Sequence, residues 1–233
     1  MSDKLNKLME IINTALQAPG KSKLTEAQFD VGGFISPNVR HLYNNLGAIS
    51  THYLECGTHA GSSLVSAVYG NDNLKSATGI DNFSLFSENQ DIAKEFYNNA
   101  DRHIKGRYTM LEMDYFKTTK KEIPNPIDLY LFDGDHSYEH QYKGITHYAQ
   151  FFADECIVLV DDGGWKDPNA ATFKGLADSG LTVDYYMTLW SGRESDCGDR
   201  GFWNGIIVAL VSKIKNEVDN RFGGWWRNTL QDN

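Results

Sequence analysis

The stretch that decides the fold of this chain is HYLECGTHAGSSLVSAVYG, residues 52–70. Its first five residues predict a buried strand, and the residues from Ser62 onward predict a helix with an apolar face. Between them, Gly57 and Gly61 allow the backbone to turn tightly and let a ligand approach. The first turn of a helix also presents backbone N–H groups that have no partner within the helix. The stretch therefore predicts a nucleotide-type site at the carboxyl edge of a sheet.

The spacing within this turn differs from the dinucleotide fingerprint G-x-G-x-x-G. It is E-x-G-x-x-x-G-x-S from Glu55 to Ser63, without the first glycine pair and with an acid two residues before Gly57. This pattern resembles motif I of the class I methyltransferases, which use S-adenosylmethionine (SAM). SAM has no pyrophosphate; its cationic amine suits an acid near the loop, and its carboxylate suits backbone groups. A plain strand-to-helix turn is the alternative. The cofactor contacts expected from the loop are Glu55, Gly57, Thr58, Gly61, Ser62 and Ser63.

Composition limits the class of protein. A chain of 233 residues can bury the core of one α/β domain with additions. No apolar run is long enough to span a bilayer, and the first residues lack the apolar core of a signal peptide. Three widely spaced cysteines form neither a disulfide framework nor a zinc pair, so we expect a cytoplasmic protein. The net charge of −9 argues against nucleic acid as a partner.

Further acids follow the later predicted strands. Asp81 ends a second strand 20 residues after Gly61, near the place where nucleotide folds put an acid for the ribose hydroxyls. Asn82 follows it, and Asp114 ends a third strand, where the methyltransferase pattern places adenine. We therefore expect Asp81, Asn82 and Asp114 to contact the cofactor, although a solvent-exposed turn is the alternative for Asp81.

Alternating strands and helices predict a parallel sheet with helices on both faces. Residues 181–190 and 205–213 predict two strands without a helix between them, and hence an antiparallel hairpin that closes a seven-stranded, mostly parallel, Rossmann-like α/β sheet. Such a hairpin distinguishes the methyltransferase sheet from an ordinary dinucleotide fold. The predicted division is a helical cap or lid at 1–47, a SAM-binding core at 48–215 and a tail at 216–233.

Three stretches resemble one group within the class I methyltransferases: LECGTHAGSS at 54–63, LFDGDHSYEH at 131–140 and VLVDDGGW at 158–165. The chain is similar to the small O-methyltransferases of the macrocin and catechol types (methyltransferase family 24). This resemblance implies a magnesium ion held by Asp133, Asp161 and Asp162, with Asp133 also near the cofactor and in the catalytic set. It implies that His136 is the base that takes a proton from the acceptor hydroxyl, a task that suits imidazole.

Two of these positions depart from the family patterns. Asp162 stands where catechol-type enzymes carry an Asn, and Asp161 stands where the macrocin type carries a Glu. Both departures keep an oxygen ligand, and Mg²⁺ prefers oxygen ligands. Cofactor contacts, loop caps or a site without metal are the alternatives for the three acids.

Three other functions compete with this interpretation. His136, Glu139 and His140 also match the H-x-x-E-H zinc-peptidase motif, but that motif needs both histidines inside one helix, and His136 directly follows a strand. An NAD(P)-dependent oxidoreductase shares the strand–turn–helix pattern. It would, however, carry the first glycine pair, which this chain lacks, and it would not have the closing hairpin. A SAM-binding domain without catalytic activity would not explain His136 beside the acids.

The acceptor is expected to be a small hydroxylated molecule, a sugar or a phenol, and neither nucleic acid nor a membrane. Aromatic residues can stack on its ring, and arginine can pair with an anion. A lid including Phe34 and Ile35 is one interpretation of the first loop, and simple packing is the other. The first helix and Trp225–Trp226 are candidate interfaces of a homo-oligomer. The candidate acceptor contacts are Trp165, Trp190, Arg193, Asp196, Asp199 and Trp203.

Overall fold

The computed structural model describes residues 2–17, 20–84, 91–190 and 201–213. Among these residues, no helix is both long and apolar enough to span a membrane. The predicted tail at 216–233 and the predicted contacts Arg193, Asp196 and Asp199 lie outside the described residues.

Seven strands form one sheet in the order β3-β2-β1-β4-β5-β7-β6. Strands β1 to β5 are parallel, and β7 runs antiparallel to β5 on one side and to β6 on the other. The predicted closing hairpin and the mostly parallel sheet are therefore confirmed. The strands are β1 (His52–Cys56), β2 (Ser76–Asp81), β3 (Thr109–Glu112), β4 (Ile127–Phe132), β5 (Phe152–Val160), β6 (Thr182–Leu189) and β7 (Ile206–Ser212).

Within the described parts of the chain, seven helices surround this sheet, and they cover both of its faces. Short 3₁₀ turns at Tyr115–Lys117 and Ala149–Phe151 join the longer elements. The helices are α1 (Asp3–Gln17), α2 (Glu26–Phe29), α3 (Pro37–Gly47), α4 (Ser62–Val68), α5 (Ile92–Ile104), α6 (Tyr138–Tyr148) and α7 (Lys166–Asp178). The sequence did not predict α2, which is a single turn that begins after Thr25.

Two apolar cores hold the layers together, because successive side chains of a buried strand point to opposite faces. On β4, Leu129 and Leu131 pack with α1, α3, α4 and α5, whereas Tyr130 and Phe132 pack with α6 and α7. Leu8 of α1 is completely buried in the first of these cores. The N-terminal helices therefore share the core of the sheet, while the division at residue 47 stays a prediction.

Local interactions set the ends of two elements. Helix α5 begins at Ile92, because the side chain of Asp91 caps it by accepting from the Lys94 N–H. Strand β5 ends at Val160, where its apolar sequence also ends. The chain then enters a loop in which Asp162 has a positive φ of 54°, which an extended strand does not allow.

Candidate active site at the carboxyl edge of the sheet

The loop after β1 lies directly against the loop after β4. Gly57 has a φ of 84°, and a Cβ atom at this position would lie 1.9 Å from the carbonyl oxygen of Asp133. Only glycine satisfies both the backbone conformation and the close approach. Gly57 therefore joins the predicted cofactor loop to the predicted catalytic acids at one edge of the sheet.

Asp81, at the end of β2, organises that loop. Its Oδ2 accepts hydrogen bonds from the backbone N–H groups of Thr58 at 2.9 Å and His59 at 3.0 Å. Its Oδ1 accepts from the N–H of Phe83 at 2.8 Å. The carboxylate thus lies beside the loop, as the sequence predicted, and it fixes the path of the backbone. A contact of Asp81 with ribose stays a prediction.

Glu55 lies beneath the loop rather than on its surface. Its side chain is completely buried and accepts hydrogen bonds from the Tyr53 hydroxyl at 2.5 Å and from the Ser63 hydroxyl. Burial raises the pKa of Glu55 to about 7, although both hydrogen bonds oppose the shift. The structure therefore gives Glu55 a supporting position under the first turn of α4, where it holds Ser63 in place.

A segment that precedes α3 covers the loop after β1. A Cβ atom on Gly33 would lie 2.3 Å from the Ser62 hydroxyl, so the two chains are in close contact. The Phe34 ring is 64% exposed and lies 5.5 Å from the His59 ring and 6.2 Å from the Trp203 ring, between centroids. The predicted lid residue Phe34 therefore lies over the loop, together with Trp203, while lid motion stays a prediction.

The acids after β4 and β5 meet around His136. The ligand atoms of Asp133, His136 and Asp161 all lie within 4.8 Å of one another. The Nε2 atom of His136 lies 3.5 Å from Asp162 Oδ2 and 4.0 Å from Asp133 Oδ1. The four residues predicted from the two strand ends are thus assembled in one cluster. Asp162 faces the imidazole rather than completing the three-residue group, so its role as a metal ligand stays untested.

The carboxylates of this cluster hold their protons unusually tightly. Burial, followed by the nearby charges of Asp161 and Glu55, raises the pKa of Asp133 well above its ordinary value. Burial and Asp162 raise the pKa of Asp161 to about 8. Burial also raises the pKa of Asp162, while His136 opposes that shift. Such shifts are typical of acids that share a site, and they favour an added proton or a cation between them.

A cavity of about 420 Å³ lies next to this cluster. Trp165 is 42% exposed and its ring centroid lies 6.0 Å from that of His136. Trp190 is 49% exposed and packs close to the backbone of Gly164. Both tryptophans therefore expose aromatic surface beside the acids. The cavity is lined by Gly163, Gly164, Trp165, Lys166, Asn169, Ala170, Thr188 and Trp190.

Comparison with known proteins identifies the domain. A family model for a methyltransferase domain matches residues 54–163, the range from the middle of β1 to the loop after β5. It includes the cofactor loop, Asp81 and the whole acid cluster. Residues 54–163 form a methyltransferase domain of the class I, SAM-dependent type.

The relatives of this methyltransferase are distant. An uncharacterized protein, R132 of Acanthamoeba polyphaga mimivirus, is 26% identical over 129 residues, which cover 53% of this chain and 57% of that protein. The match therefore spans little more than half of that relative's length.

Solved structures with the same fold include two O-methyltransferases. TomG from Streptomyces achromogenes, which is involved in tomaymycin synthesis and was solved with SAM, has a TM-score of 0.58 at 14% identity. That overlay covers 91% of this chain and 100% of TomG. The Bacillus cereus enzyme, solved with S-adenosylhomocysteine (SAH), has a TM-score of 0.52 at 13% identity over 91% of this chain and 92% of that one. At such identities the likeness shows the fold alone.

Two predicted cofactor residues of the methyltransferase serve local turns. Asn82 is exposed, and its Oδ1 accepts from the N–H and hydroxyl of Ser84. Asp114 caps the following 3₁₀ turn by accepting from the Phe116 N–H at 2.9 Å. Neither side chain is directed by these bonds toward the loop after β1, so their contact with a cofactor remains untested.

The zinc-peptidase alternative fails on geometry. His136 precedes α6, whose N-terminal cap is Ser137, whereas His140 lies inside the helix. The Nδ1 atom of His140 lies 2.7 Å from the Tyr115 hydroxyl. The two histidines therefore do not face one metal position from a shared helix.

Two residues near the site were missed by sequence reasoning. Gln141 is completely buried on α6, and its Nε2 lies 3.2 Å from His136 Nδ1. The Asn204 side chain forms a hydrogen bond with Asp162, which lowers the pKa of that acid. A polar residue at a position that α6 buries was the available signal for Gln141; no such signal marks Asn204, which comes from the distant loop before β7.

Proposed function

We propose that this methyltransferase transfers the methyl group of SAM to a hydroxyl oxygen of a small, ring-bearing acceptor. The observation that carries the proposal is the contact of Gly57 with Asp133, which joins the loop of the family motif to the acid and histidine cluster. Methyl transfer is an in-line displacement, so the sulfonium and the acceptor oxygen must be held close together and aligned. Two adjoining loops at one sheet edge suit that requirement.

The cofactor belongs on the β1–β2 side of this edge. Asp81 already holds the N–H groups of Thr58 and His59, and one oxygen, Oδ1, accepts from a single protein donor in the described structure. A carboxylate oxygen can accept a second hydrogen bond, so Asp81 retains capacity for a ribose hydroxyl. The neighbouring Gly61 brings no side chain into the space before α4.

The chemistry of the acid cluster fits a divalent cation. Asp133 and Asp161 offer two carboxylates beside His136, with one ligand atom of each residue within 4.8 Å of the others, and burial and neighbouring charge raise the pKa of both acids. We propose that Asp133 and Asp161 would hold Mg²⁺, with Asp162 as a further oxygen donor, and that His136 stays outside the ligand set. When bound, the ion would lower the pKa of an acceptor hydroxyl and orient its oxygen.

His136 is the proposed base. Its Nε2 faces the carboxylates of Asp133 and Asp162, and its other nitrogen is engaged by Gln141. A neutral imidazole can take a hydroxyl proton at this position, which makes the acceptor oxygen a better nucleophile.

The acceptor ring belongs in the cavity between Trp165 and Trp190. Exposed indole rings stack on aromatic rings or on the apolar face of a sugar. Because Trp165 also lies beside His136, a ring in this cavity would place a substituent near the base. The net charge of −9 and the small cavity favour a small molecule over nucleic acid.

The test is calorimetric titration of the chain with SAH, followed by a methyl-transfer assay on phenols and sugars with and without Mg²⁺. We expect micromolar SAH binding, and a methylated product that is lost in Asp161→Ala without loss of SAH binding. Trp190→Ala should raise the KM for the acceptor and leave SAH affinity unchanged. Absence of SAH binding to the unmodified chain would overturn the proposal.

A further inference from the structure

Gln141 carries a buried polar atom that its surroundings do not explain. The residue is completely buried on the inner face of α6, where Ile145 and Tyr148 pack into the apolar core. Its Oε1 atom has no hydrogen-bond partner within the described part of the chain. A buried amide oxygen without a partner is unfavourable, and an apolar side chain of similar size would avoid that cost.

The other end of the amide reaches the proposed base. The Nε2 atom of Gln141 lies 3.2 Å from Nδ1 of His136, and the imidazole's Nε2 lies 3.5 Å from Asp162. With this amide orientation, His136 Nδ1 accepts the hydrogen bond and the ring proton is on Nε2, from which it can be donated to Asp162. This tautomer suits an empty site, but it leaves no lone pair on Nε2.

Rotation of the Gln141 amide by half a turn exchanges the positions of its oxygen and nitrogen, so that the glutamine accepts the hydrogen bond and His136 Nδ1 donates it. The oxygen then replaces nitrogen beside Nδ1 and accepts a hydrogen bond from the Nδ1–H, while the NH₂ group takes the place in which the oxygen had no partner. The lone pair of the neutral ring is then on Nε2, which faces Asp133 and Asp162. The glutamine can therefore form a hydrogen bond to His136 in either tautomer, whereas an apolar residue could form none.

We propose that Gln141 is a positioning residue that fixes the ring and the tautomer of His136 by accepting a hydrogen bond from the Nδ1–H when the site is in use. The inference rests on the proposed role of His136 as base. It assigns Gln141 no contact with the substrate, because its side chain lies behind the imidazole.

Two substitutions separate this role from simple packing. Gln141→Met keeps the size of the side chain and removes the hydrogen bond. Gln141→Glu keeps the hydrogen bond and supplies only an acceptor when ionised. Thr172→Val is the matched control, because Thr172 of α7 is also completely buried, and its side-chain oxygen forms no hydrogen bond with His136 or any other described residue.

The direct readout is the ¹⁵N spectrum of the His136 ring in the whole chain, recorded with the ring neutral and assigned by the signals lost in His136→Asn. We expect one tautomer in the unmodified chain, the Nδ1–H tautomer in Gln141→Glu, and rapid exchange between both in Gln141→Met. Thr172→Val should leave the ring signals unchanged. A His136 spectrum in Gln141→Met identical to that of the unmodified chain would overturn the inference.

Activity gives the second readout once an acceptor is methylated. Gln141→Met should lower kcat about tenfold, as loss of a supporting hydrogen bond commonly does, with SAH affinity unchanged and activity recovered in Gln141→Glu. If the unmodified chain binds no SAH, the proposed function fails whatever the ring spectra show. If SAH binds and His136→Asn is inactive, but Gln141→Met turns over normally, only the role of Gln141 fails.

Discussion

The two halves of the sheet edge treat their carboxylates in opposite ways. On the β1–β2 side, Asp81 receives three backbone N–H groups, which stabilise its charge. On the β4–β5 side, Asp133 and Asp161 face each other, and burial and neighbouring charge raise their pKa values. The carboxylate on the β1–β2 side is therefore already stabilised by backbone N–H groups. The carboxylates on the β4–β5 side are stabilised only when a proton or a cation is added.

The two halves also depend on each other through one glycine. Gly57→Ala should give the largest effect, because the new Cβ would lie 1.9 Å from the Asp133 carbonyl in a backbone conformation with φ of 84°. We expect a loss of about 3 kcal/mol or more in the free energy of unfolding, measured by urea denaturation, and loss of SAH binding.

The control for that change is Gly106→Ala. Gly106 has a similar φ of 72°, but a Cβ atom at this position would have no neighbour within 4 Å among the described residues. This variant should lose only about 1 kcal/mol, the cost of the backbone conformation. Equal losses in the two variants would show that the contact between the loops contributes nothing.

Removal of the carboxylate on the β1–β2 side should be the next largest effect. Asp81→Ala leaves the N–H groups of Thr58, His59 and Phe83 without their acceptor, and we expect a loss of about 2–3 kcal/mol in the free energy of unfolding. Hydrogen exchange at Thr58 and His59 should become faster. Asp91→Ala, which removes the cap of α5 but no hydrogen bond to Thr58 or His59, should lose about 1 kcal/mol and leave those two amides protected.

Glu55 extends the comparison to pH. Its pKa is about 7 in the folded chain and about 4.3 in an unfolded chain, so the folded state binds more protons between these values. The contribution of Glu55 to stability therefore falls as pH rises from about 4 to about 7.

Glu55→Gln should remove this dependence, since the amide can accept from one of the two hydroxyls, of Tyr53 and Ser63, and donate to the other. Relative to the unmodified chain, the variant should gain about 2 kcal/mol in the free energy of unfolding between pH 5 and pH 8. Urea denaturation at both pH values measures the difference. A constant difference would mean that Glu55 does not titrate in this range.

The smallest expected effect is a gain in stability, opposite in sign to the loss expected for Asp81→Ala. Asp161→Asn removes one charge from the β4–β5 cluster, so the ligand-free chain should become more stable by about 1 kcal/mol at pH 8. Differential scanning calorimetry without divalent cations measures this gain. Asp154→Asn, which changes an exposed acid on β5, should have little effect. Destabilisation by Asp161→Asn would remove the contrast between the two halves.

The sequence predicted the elements of this edge because their signals are local. The alternation of strands and helices, the loop at Gly57 and the acids that follow β4 and β5 can all be recognised within short windows. Since parallel strands end at the same edge, Asp133, His136 and Asp161 were expected to meet, and the structure brings them together.

The rest depended on packing between distant residues. The burial of Glu55 beneath α4 and the bond between Asn204 and Asp162 join residues that no periodic pattern connects. Asn82 and Asp114 follow strands as expected, but their side chains bond to the backbone two residues later, a competition typical of these residue types. Position after a strand therefore predicted proximity to the site better than it predicted the role of each side chain.

The most direct test of the two-sided edge is SAH titration of the unmodified chain, Asp81→Ala and Asp161→Ala, each with and without Mg²⁺. The account predicts micromolar binding to the unmodified chain, binding weakened about a hundredfold in Asp81→Ala, and normal SAH binding in Asp161→Ala with the heat of Mg²⁺ binding lost. Normal SAH affinity in Asp81→Ala, or loss of SAH binding in Asp161→Ala, would contradict the assignment of cofactor and acid cluster to separate halves of the edge.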